Sequence, residues 1–332
     1  MYKFVFVGSL YDYNTYIEKE IAKSNKNVFT CESLNKSLHG FSYILYKLHN
    51  SSKINKFVRL PFRNVWVKKI LDKETSAALK SNDKICFIYS GGINYLQMGF
   101  IDYLKHRYPN SKYVFYFTDL VEVYMRNNPD FFKKYAGSFD LLITYNEIDA
   151  DKYKIHLAPP RIISFSYVED DPSIEPSDVF FVGREKGRLQ ELLKIYELCV
   201  ENGLKCDFHI MDVPREKQRY ADNITYNQFM SYEEVLKHCK RAKCILNYIQ
   251  KGAVGITLRD YEAIGMNKFL MTNNPAIKTS AFYTCENIIW IENLQDEIGK
   301  LKNGNMPVIW NGREKYSVSN YFSWLENMLE SK

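Results

Sequence analysis

The sequence predicts an α/β protein made of two doubly wound domains, each a parallel sheet covered by helices on both faces, with a helix at the C-terminus. Three observations support this fold class. Short apolar runs rich in β-branched and aromatic residues alternate with helix-length segments along the chain. The alternation stops once, in an acidic stretch that contains two prolines. The length of 332 residues is that of two ordinary domains.

The first half of the chain predicts one six-stranded sheet. Strands are expected at Lys3–Val7, Asn27–Thr30, Ile85–Tyr89, Tyr113–Phe117, Leu141–Tyr145 and Ile162–Tyr167. Helices are expected at Asn14–Lys23, Asn94–His106, Asp130–Tyr135 and Glu147–Tyr153. Because the strands are apolar throughout and do not alternate in polarity, they are typical of parallel strands buried on both faces.

The second half predicts a sheet of its own after a linker. Residues 169–177 have no helical period and carry both prolines, so they separate a domain of residues 1–168 from one of residues 178–317. Strands are expected at Val179–Val182, Cys206–Met211, Asn223–Tyr226, Cys244–Tyr248, Lys268–Met271 and Asn287–Ile291. Helices are expected at Lys186–Val200, Tyr232–Arg241, Thr257–Ile264 and Leu294–Leu301. Residues 318–332 repeat apolar side chains at helical spacing, which predicts an amphipathic terminal helix.

The arrangement of the two predicted domains suggests where ligands bind. Doubly wound sheets bind ligands at the carboxyl ends of their strands. We therefore expect the two sheets to face each other across a cleft that holds two substrates.

Composition excludes several classes of protein. A content of 46% hydrophobic and 25% charged residues argues against disorder, and no apolar run reaches the roughly 20 residues of a membrane-spanning helix. The first apolar run is too short for a signal peptide, so a cytoplasmic protein is expected. The seven cysteines contain no C-x-x-C pair and the six histidines no H-x-x-x-H pair, so neither disulfides nor a structural metal site is expected.

Two turns carry a glycine directly after a predicted strand, at Gly8 in the first domain and at Gly183 in the second. Neither turn has the G-x-G-x-x-G pattern and no G-x-x-x-x-G-K-[ST] occurs, so dinucleotide dehydrogenases and P-loop enzymes are disfavoured. At the second turn Arg184, Lys186 and Arg188 follow the glycine, a pattern that favours phosphate binding at a helix N-terminus. A solvated basic helix start explains the same residues about equally well.

The segment from Lys251 to Asn274 is more specific. Thr257 and Asp260 have the spacing of a capping box, which predicts a helix that begins here. The free N–H groups of such a helix start are suited to a diphosphate. Glu262 follows on an apolar helix, where a carboxylate is either paired or used by a ligand hydroxyl.

This segment resembles the donor-nucleotide motif of GT-B glycosyltransferases, in the group that builds bacterial lipopolysaccharide and capsular polysaccharide. The resemblance rests on a glycine, Leu258-Arg259, Tyr261, Glu262-Ala263 and Gly265, followed by the apolar run 269–272. The turn at Gly183 and the region from Tyr89 to Tyr124 are also similar to that group. The resemblance implies the GT-B fold, with two Rossmann-like domains and a nucleotide sugar bound to the second.

The resemblance also implies roles for individual residues. Glu262 would bind the ribose hydroxyls, the backbone at Gly255 and Thr257 would cradle the diphosphate, and Arg259 would neutralise phosphate or contact the sugar. Tyr226 would lie near the base, although ordinary packing explains an aromatic residue there equally well. Gly183, Arg184 and Lys186 complete the predicted donor-nucleotide site.

The expected stereochemistry of sugar transfer depends on a glutamate that this sequence lacks. Many retaining members of the group carry two glutamates separated by seven residues, but the first of these positions is Val254 in this chain. Inverting transfer, which needs a general base, is therefore expected. Asp119 is the candidate because it follows an apolar strand, although a helix cap or a hydrogen-bonded turn is at least as typical of such an aspartate. Ser90, Gly91 and Gly8 are expected on the acceptor side.

Asp149-Ala150-Asp151 is a D-x-D sequence, which in GT-A enzymes holds Mg²⁺ or Mn²⁺ against a diphosphate. Here it follows Asn146-Glu147 at a predicted helix start, where the helix dipole favours carboxylates. We therefore expect no metal, and no cofactor besides the nucleotide-sugar co-substrate.

Charge is unevenly distributed along a chain whose net charge is +6. Between Glu32 and Asp72 there are eight basic residues and no carboxylate, and apolar residues are interleaved with them in the region Lys47–Lys69. Such stretches are usually solvated surface. The functional interpretation is docking on an anionic membrane, worth roughly 1 kcal/mol for each basic residue near the surface. The modest overall charge and the lack of a binding motif argue against nucleic acid.

Together these patterns predict a cytoplasmic glycosyltransferase of the hexosyltransferase type, peripheral on the inner face of the plasma membrane. It would transfer a sugar from a UDP-sugar to a lipid-linked oligosaccharide or a growing surface polysaccharide, by an inverting and metal-independent mechanism. Two alternatives stay open at this point: a nucleotide-sugar epimerase of the same fold and a non-catalytic protein that binds nucleotide sugars.

Overall fold

The computed structural model describes most of the chain and divides it into two compact units. The described residues are 1–7, 12–31, 38–51, 54, 57, 58, 60–62, 65, 66, 69, 71, 73–90, 95–159, 165, 168–250, 255–280, 282, 283, 286–302 and 308–331. The first unit comprises residues 1–160 together with 319–332, and the second comprises residues 161–318.

The first unit contains a six-stranded sheet in which all paired strands are parallel. Its strands are β1 (Lys3–Val7), β2 (Val28–Cys31), β3 (Ile85–Ser90), β4 (Lys112–Phe117), β5 (Leu141–Thr144) and β6 (His156–Leu157). They lie in the order β2-β1-β3-β4-β5-β6, so the chain reverses its direction of travel between β1 and β3. The predicted strand at Ile162–Tyr167 falls almost wholly outside the described residues, and β6 was not predicted.

Helices accompany this sheet wherever the crossover connections are described. They are α1 (Asp12–Ser24), α2 (Gly40–Asn50), α3 (Lys73–Ala78), α4 (Tyr95–Arg107), α5 (Val121–Asn127), α6 (Phe131–Lys134) and α7 (Glu147–Tyr153). Aromatic rings fill the core between sheet and helices. Phe115 packs its ring 4.7 Å from those of Phe117 and Phe131, which joins β4 to α6. Burial of such rings supplies much of the free energy that holds a helix on a sheet.

The second unit contains a second six-stranded parallel sheet. Its strands are β7 (Ser177–Arg184), β8 (Cys206–Met211), β9 (Ile224–Tyr226), β10 (Ala242–Asn247), β11 (Phe269–Thr272) and β12 (Ile288–Trp290). The helices are α8 (Leu189–Glu201), α9 (Tyr232–Arg241), α10 (Leu258–Gly265), α11 (Leu294–Glu297) and α12 (Gly299–Lys302). The order β12-β11-β10-β7-β8-β9 is that of a Rossmann domain, whose direction of winding reverses between its first and fourth strands.

Both faces of the second sheet are covered, as the apolar strands predicted. One buried cluster packs Leu192 of α8 against Phe208 of β8, and the other packs Val235 of α9 and Ile264 of α10 against Phe180 of β7. Alternate residues of a strand point to opposite faces, so β7 and β10 supply side chains to both clusters.

The connection between the sheets contains neither helix nor strand over residues 169–176, and Ser177 begins β7. Two of its acidic side chains are anchored to α9. Asp170 Oδ2 lies 2.8 Å from Arg241 Nη1, and Asp171 Oδ2 lies 3.4 Å from Lys237 Nζ. The acidic stretch is therefore attached to the second unit by ion pairs.

The chain ends in helix α13 (Val318–Glu330), which packs on the first unit. Phe322 lies with its ring 4.5 Å from that of Phe4, and the backbone N–H of Tyr2 donates to Glu326 Oε1 at 2.6 Å. Tyr321 and Leu325 are also buried, so the predicted amphipathic helix covers the start of β1. Within the described part of the chain, none of the helices has the length and apolarity needed to cross a bilayer.

Candidate functional site

The winding of the second sheet reverses between β7 and β10, so these neighbouring strands define its switch point. Their carboxyl ends are Arg184 and Asn247. Connections that leave a doubly wound sheet in opposite directions open a crevice at this place, and ligands of such sheets bind there. Both sequence segments predicted to hold a nucleotide, the turn at Gly183 and the start of α10, lie at this crevice.

Gly183 allows a cation to lie close to the backbone of β7. A Cβ at this position would be 3.0 Å from Arg188 Nη2 and 3.2 Å from the ring of Phe181. The Arg188 guanidinium lies over that ring, 5.5 Å from its centre, and donates to the carbonyl oxygen of Arg184 at 3.0 Å. Burial lowers the pKa of Arg188, and the positive charge of Arg259 lowers it further. The two guanidinium charges thus repel each other at the switch point, and a bound anion would relieve that repulsion.

The other two cations of the same turn are more exposed. Arg184 Nη1 forms an ion pair with Asp212 Oδ2 at 2.6 Å, so its charge is already neutralised at the carboxyl end of β8. Lys186 is exposed and has a φ of +44°, a conformation uncommon for a side chain with a Cβ. Of the three basic residues in this turn, Arg188 is the one that packs over Gly183.

Helix α10 begins with the predicted capping box, which the structure confirms. Thr257 Oγ1 accepts from the backbone N–H of Asp260 at 3.4 Å, and Asp260 Oδ2 accepts from the N–H of Thr257 at 2.8 Å. The N–H groups of Leu258 and Arg259 find no acceptor among the described residues. These amides stay available at the carboxyl end of β10, where the positive end of the helix dipole favours an anion.

Asp260 is the centre of a buried hydrogen-bond network that holds this helix start in place. The side chain is fully buried; Oδ1 accepts from Asn247 Nδ2 at 2.6 Å and Oδ2 from Asn274 Nδ2 at 3.0 Å. Asn274 Nδ2 also donates to the carbonyl of Gly255 at 3.0 Å. Burial raises the pKa of the Asp260 carboxyl group, and these donors oppose the rise. Neither asparagine was predicted to belong to the site. The signal in the sequence is a polar residue at or just after the end of a buried strand.

Glu262 is fully buried and paired. Its Oε2 accepts a hydrogen bond from Arg259 Nη1, one turn earlier in α10, and lies 3.9 Å from Cys239 Sγ of α9. Its Oε1 makes no hydrogen bond to any described residue. Burial raises the pKa of Glu262, and the positive charge of Arg259 opposes that rise. The sequence predicted that this carboxylate is either paired or used by a ligand hydroxyl, and the structure shows it paired. Contact with a ribose requires the side chain of Arg259 or Glu262 to move.

Tyr226, predicted near the base, ends the edge strand β9. Its hydroxyl donates to the carbonyl of Arg219 at 2.6 Å, which fixes the connection between β8 and β9. Three strand spacings separate β9 from β10, about 14 Å at the usual distance between neighbouring strands. Phe229, a few residues later, is 82% exposed. A ligand that reaches from α10 to this edge must therefore be an extended one.

Asp119, the predicted base, lies two residues after the end of β4 and is exposed. Its Oδ1 accepts from the backbone N–H of the next residue, Leu120, at 2.8 Å. It does not cap α5, because the N–H of Val121 at the start of that helix donates to Asp149 Oδ2 at 2.8 Å. Of the two structural interpretations of this aspartate, the hydrogen-bonded turn is therefore the one observed.

The D-x-D sequence lies at the start of α7, as expected for a helix N-terminus. Asn146 caps this helix by accepting from the backbone N–H of Asp149 at 3.0 Å. The Asp149 side chain is buried against the start of α5, whereas Asp151 is exposed. Asp149 therefore joins two helices by a hydrogen bond.

Ser90 ends β3 beside β1, at the switch point of the first sheet. Its side chain is buried, and its Oγ has no hydrogen-bond partner among the described residues. The other two predicted acceptor-side residues, Gly8 and Gly91, lie outside the described residues, as does Val254.

No protein-family model matches the chain, and no curated protein sequence matches it significantly. Solved structures do share its fold. An α-glucosyltransferase in complex with UDP-glucose and DNA containing an abasic site is 11% identical, with a TM-score of 0.59 and 98% of each chain covered. A trehalose-6-phosphate synthase is 11% identical, with a TM-score of 0.54 and coverage of 100% of this chain and 99% of that one.

A third similar structure is a UDP-forming α,α-trehalose-phosphate synthase from Burkholderia vietnamiensis, 8% identical, with a TM-score of 0.53 and coverage of 99% of this chain and all of the other. At such identities the likeness is one of fold. The predicted fold class is thereby confirmed: two Rossmann-like parallel sheets of the GT-B type, followed by a C-terminal helix.

Proposed function

We propose that this protein is a GT-B glycosyltransferase that takes a sugar from a nucleotide diphosphate donor bound to its second unit. The observation that carries the proposal is the start of α10. The Asp260 network fixes the helix start, where the backbone N–H groups of Leu258 and Arg259 have no acceptor among the described residues. Gly183 and Arg188 lie at the same switch point. Amides and guanidinium groups held in advance stabilise the negative charge that builds up on a diphosphate as it leaves.

A uridine-linked donor is the specific form of this proposal. It is supported by two proteins of known structure that share the fold, a glucosyltransferase in complex with UDP-glucose and a UDP-forming synthase. In this proposal Glu262 binds the ribose once the side chain of Arg259 turns from it towards the diphosphate. The proposed base contact lies near Tyr226 and the exposed ring of Phe229.

For the chemical step we propose inverting transfer without a metal ion. The positive N-terminal end of α10 and the guanidinium groups of Arg188 and Arg259 supply the charge that a divalent cation would otherwise provide. Asp119 is the proposed general base because it is exposed and, among the described residues, its carboxylate accepts only from the adjacent N–H of Leu120. Ser90, with Gly8 and Gly91, is the proposed acceptor side. Full activity after treatment with a chelator supports this part, and restoration by Mn²⁺ after a loss contradicts it.

The proposed acceptor is a lipid-linked oligosaccharide or a growing surface polysaccharide, reached from a cytoplasmic membrane surface. Support comes from α2, where Phe41, Ile44 and Leu48 lie on one helical face and are 78%, 56% and 43% exposed. Phe57 and Phe62, in the basic region Lys47–Lys69, are more than 80% exposed. Apolar side chains among basic ones match an anionic bilayer, which accepts the rings and attracts the charges.

The deciding experiment measures donor binding and turnover separately. The purified protein is screened against UDP, GDP, ADP and CDP and their sugars by thermal shift, because a ligand that binds only the folded state raises the melting temperature. The preferred donor is then incubated with lipid-linked acceptors, and products are resolved by mass spectrometry. An isomerised donor without an acceptor identifies an epimerase instead. Nucleotide binding without any turnover identifies a binding protein, and no stabilisation by any nucleotide contradicts the proposal.

A further inference from the structure

Asp207 and His209 of β8 and His238 of α9 form a compact cluster away from the proposed donor site. Asp207 Oδ1 lies 2.8 Å from His209 Nε2, and Asp207 Oδ2 lies 2.6 Å from His238 Nδ1. One ligand atom from each residue fits within 4.8 Å of the others. Ile210 of β8 is the strand partner of Gly183, and Asp207 lies three residues before Ile210. Asp207 is therefore about 10 Å from Gly183 along the strand direction.

The local fold explains why these three residues meet. Asp207 and His209 are two positions apart in a strand and therefore point to the same face, which α9 covers. His238 lies in the last turn of α9 and stacks on Phe180 of β7, with ring centres 5.4 Å apart. The ring of His209 lies 5.2 Å from that of His238. Packing on Phe180 thus orients one imidazole before any ligand arrives.

The chemistry of the cluster is that of metal ligands. Among the described residues, the two imidazoles are the only basic groups paired with Asp207; the nearby Lys237 and Arg241 pair with other carboxylates. All three side chains are partly exposed, between 13% and 23%, which leaves room for water as a further ligand. Two imidazoles and one carboxylate are a donor set typical of Zn²⁺ and Fe²⁺ sites.

We propose that Asp207, His209 and His238 bind one divalent transition-metal ion, with water completing the coordination. Metal–ligand bonds of 2.0–2.2 Å place tetrahedral ligand atoms roughly 3.3 Å apart, so the present contacts of Asp207 need open by less than 1 Å. The ion would replace the protons that now lie between carboxylate and imidazoles. It would connect β8 to α9, the helix whose Cys239 contacts Glu262. The site is separate from the diphosphate site, so it is compatible with metal-independent transfer.

The test uses untagged, chelator-treated protein titrated with ZnCl₂ in a calorimeter. Wild type should bind one equivalent and melt roughly 5–10 °C higher when zinc exceeds its dissociation constant a hundredfold. Asp207→Asn, His209→Gln and His238→Gln should each weaken binding by at least tenfold. His106→Gln, on the exposed side of α4 in the first unit, is the matched control and should bind as wild type does.

Substitution with Co²⁺ reports the type of ligand atom without any variant. A site of imidazole and carboxylate gives visible d–d bands without the near-ultraviolet charge-transfer band that thiolate ligands produce. Absence of a one-to-one site in wild type overturns the proposal. So does a thiolate band, or zinc binding unchanged in all three cluster variants, because the ion would then lie at cysteines or elsewhere. If the variants misfold, the proposal can still be overturned, because a thiolate band or the lack of a one-to-one site in wild type contradicts it.

Discussion

Arg259 and Glu262, one turn apart in α10, form an ion pair in which the carboxylate is fully buried and the guanidinium side chain is 19% exposed. The pair lies directly behind the helix start proposed to hold a diphosphate. If phosphate draws the Arg259 side chain away, the carboxylate loses its counter-charge, and a further hydrogen-bond donor would then stabilise it. A ribose hydroxyl is such a donor, which links the binding of the two parts of a nucleotide.

The first prediction concerns removal of this carboxylate. Glu262→Ala should weaken UDP affinity by at least tenfold, because the ribose loses its acceptor. It should also lower the free energy of unfolding by about 3 kcal/mol, because the buried part of Arg259 loses its counter-charge. Calorimetry with UDP and urea unfolding measure the two effects. Unchanged UDP affinity in a folded variant contradicts the role assigned to Glu262.

The second prediction concerns pH. Burial raises the pKa of Glu262, so the folded protein takes up this proton more readily than the unfolded chain, whose glutamate has a pKa of about 4.3. Glu262 therefore contributes stability at low pH that is lost as the pH rises through the folded-state pKa. Glu262→Gln does not titrate. The stability of wild type relative to Glu262→Gln, measured by urea unfolding, should decrease as the pH rises above about 4.3, the pKa of the glutamate in the unfolded chain. An increase contradicts the direction of the shift.

The third prediction concerns the close approach of Arg188 to β7. In Gly183→Ala the new methyl group meets Arg188 Nη2 at 3.0 Å, so the guanidinium must move. UDP affinity should fall about tenfold, or 1.4 kcal/mol. The ring of Phe181, 3.2 Å from the same Cβ, must also shift slightly, so urea unfolding of the variant checks that the fold is kept. Gly299→Ala is the matched control, since a Cβ there meets nothing within 4 Å. Equal affinity for UDP in both variants would show that Arg188 is not part of the donor site.

The fourth prediction compares two capping boxes. Asp260 and Glu234 occupy the same position in the capping boxes of α10 and α9, but Asp260 is buried among donors whereas Glu234 is exposed. Asp260→Asn should destabilise the protein by about 2–3 kcal/mol, because an amide turns one N–H towards Asn247 or Asn274. Glu234→Gln should cost well under 1 kcal/mol. Thermal and urea unfolding of both variants test the difference, and equal losses contradict the importance of the buried network.

The fifth prediction concerns membrane docking. Wild type should bind vesicles with anionic lipids better than neutral ones, and added salt should weaken that binding. The double change Phe41→Ser and Ile44→Ser should lower vesicle affinity at least tenfold, because two exposed apolar side chains are lost from α2. Ile148→Ser, which changes an exposed residue of α7, is the control. Co-sedimentation with no preference for anionic vesicles contradicts the proposal.

Much of the fold was predictable because the signals are local. Apolar runs such as 85–89 and 113–117 report burial on both faces, and the structure places β3 and β4 there in a parallel sheet. The spacing of Thr257 and Asp260 predicted a helix start to the residue, because a capping box involves only neighbours in the chain. The short strand β6 was missed, since two residues carry no periodicity.

The sequence by itself determined the alternation of strands and helices, the start of α10 and the terminal helix, since each depends on residues within one or two turns. Only the tertiary structure decided that Asn247 and Asn274 support Asp260, and that α13 returns to β1. It also decided that Asp207 and His209 meet His238, about thirty residues later in the chain. The physical reason is that hydrophobic periodicity indicates which side chains are buried. Which residues they contact depends on the order of the strands in the sheet.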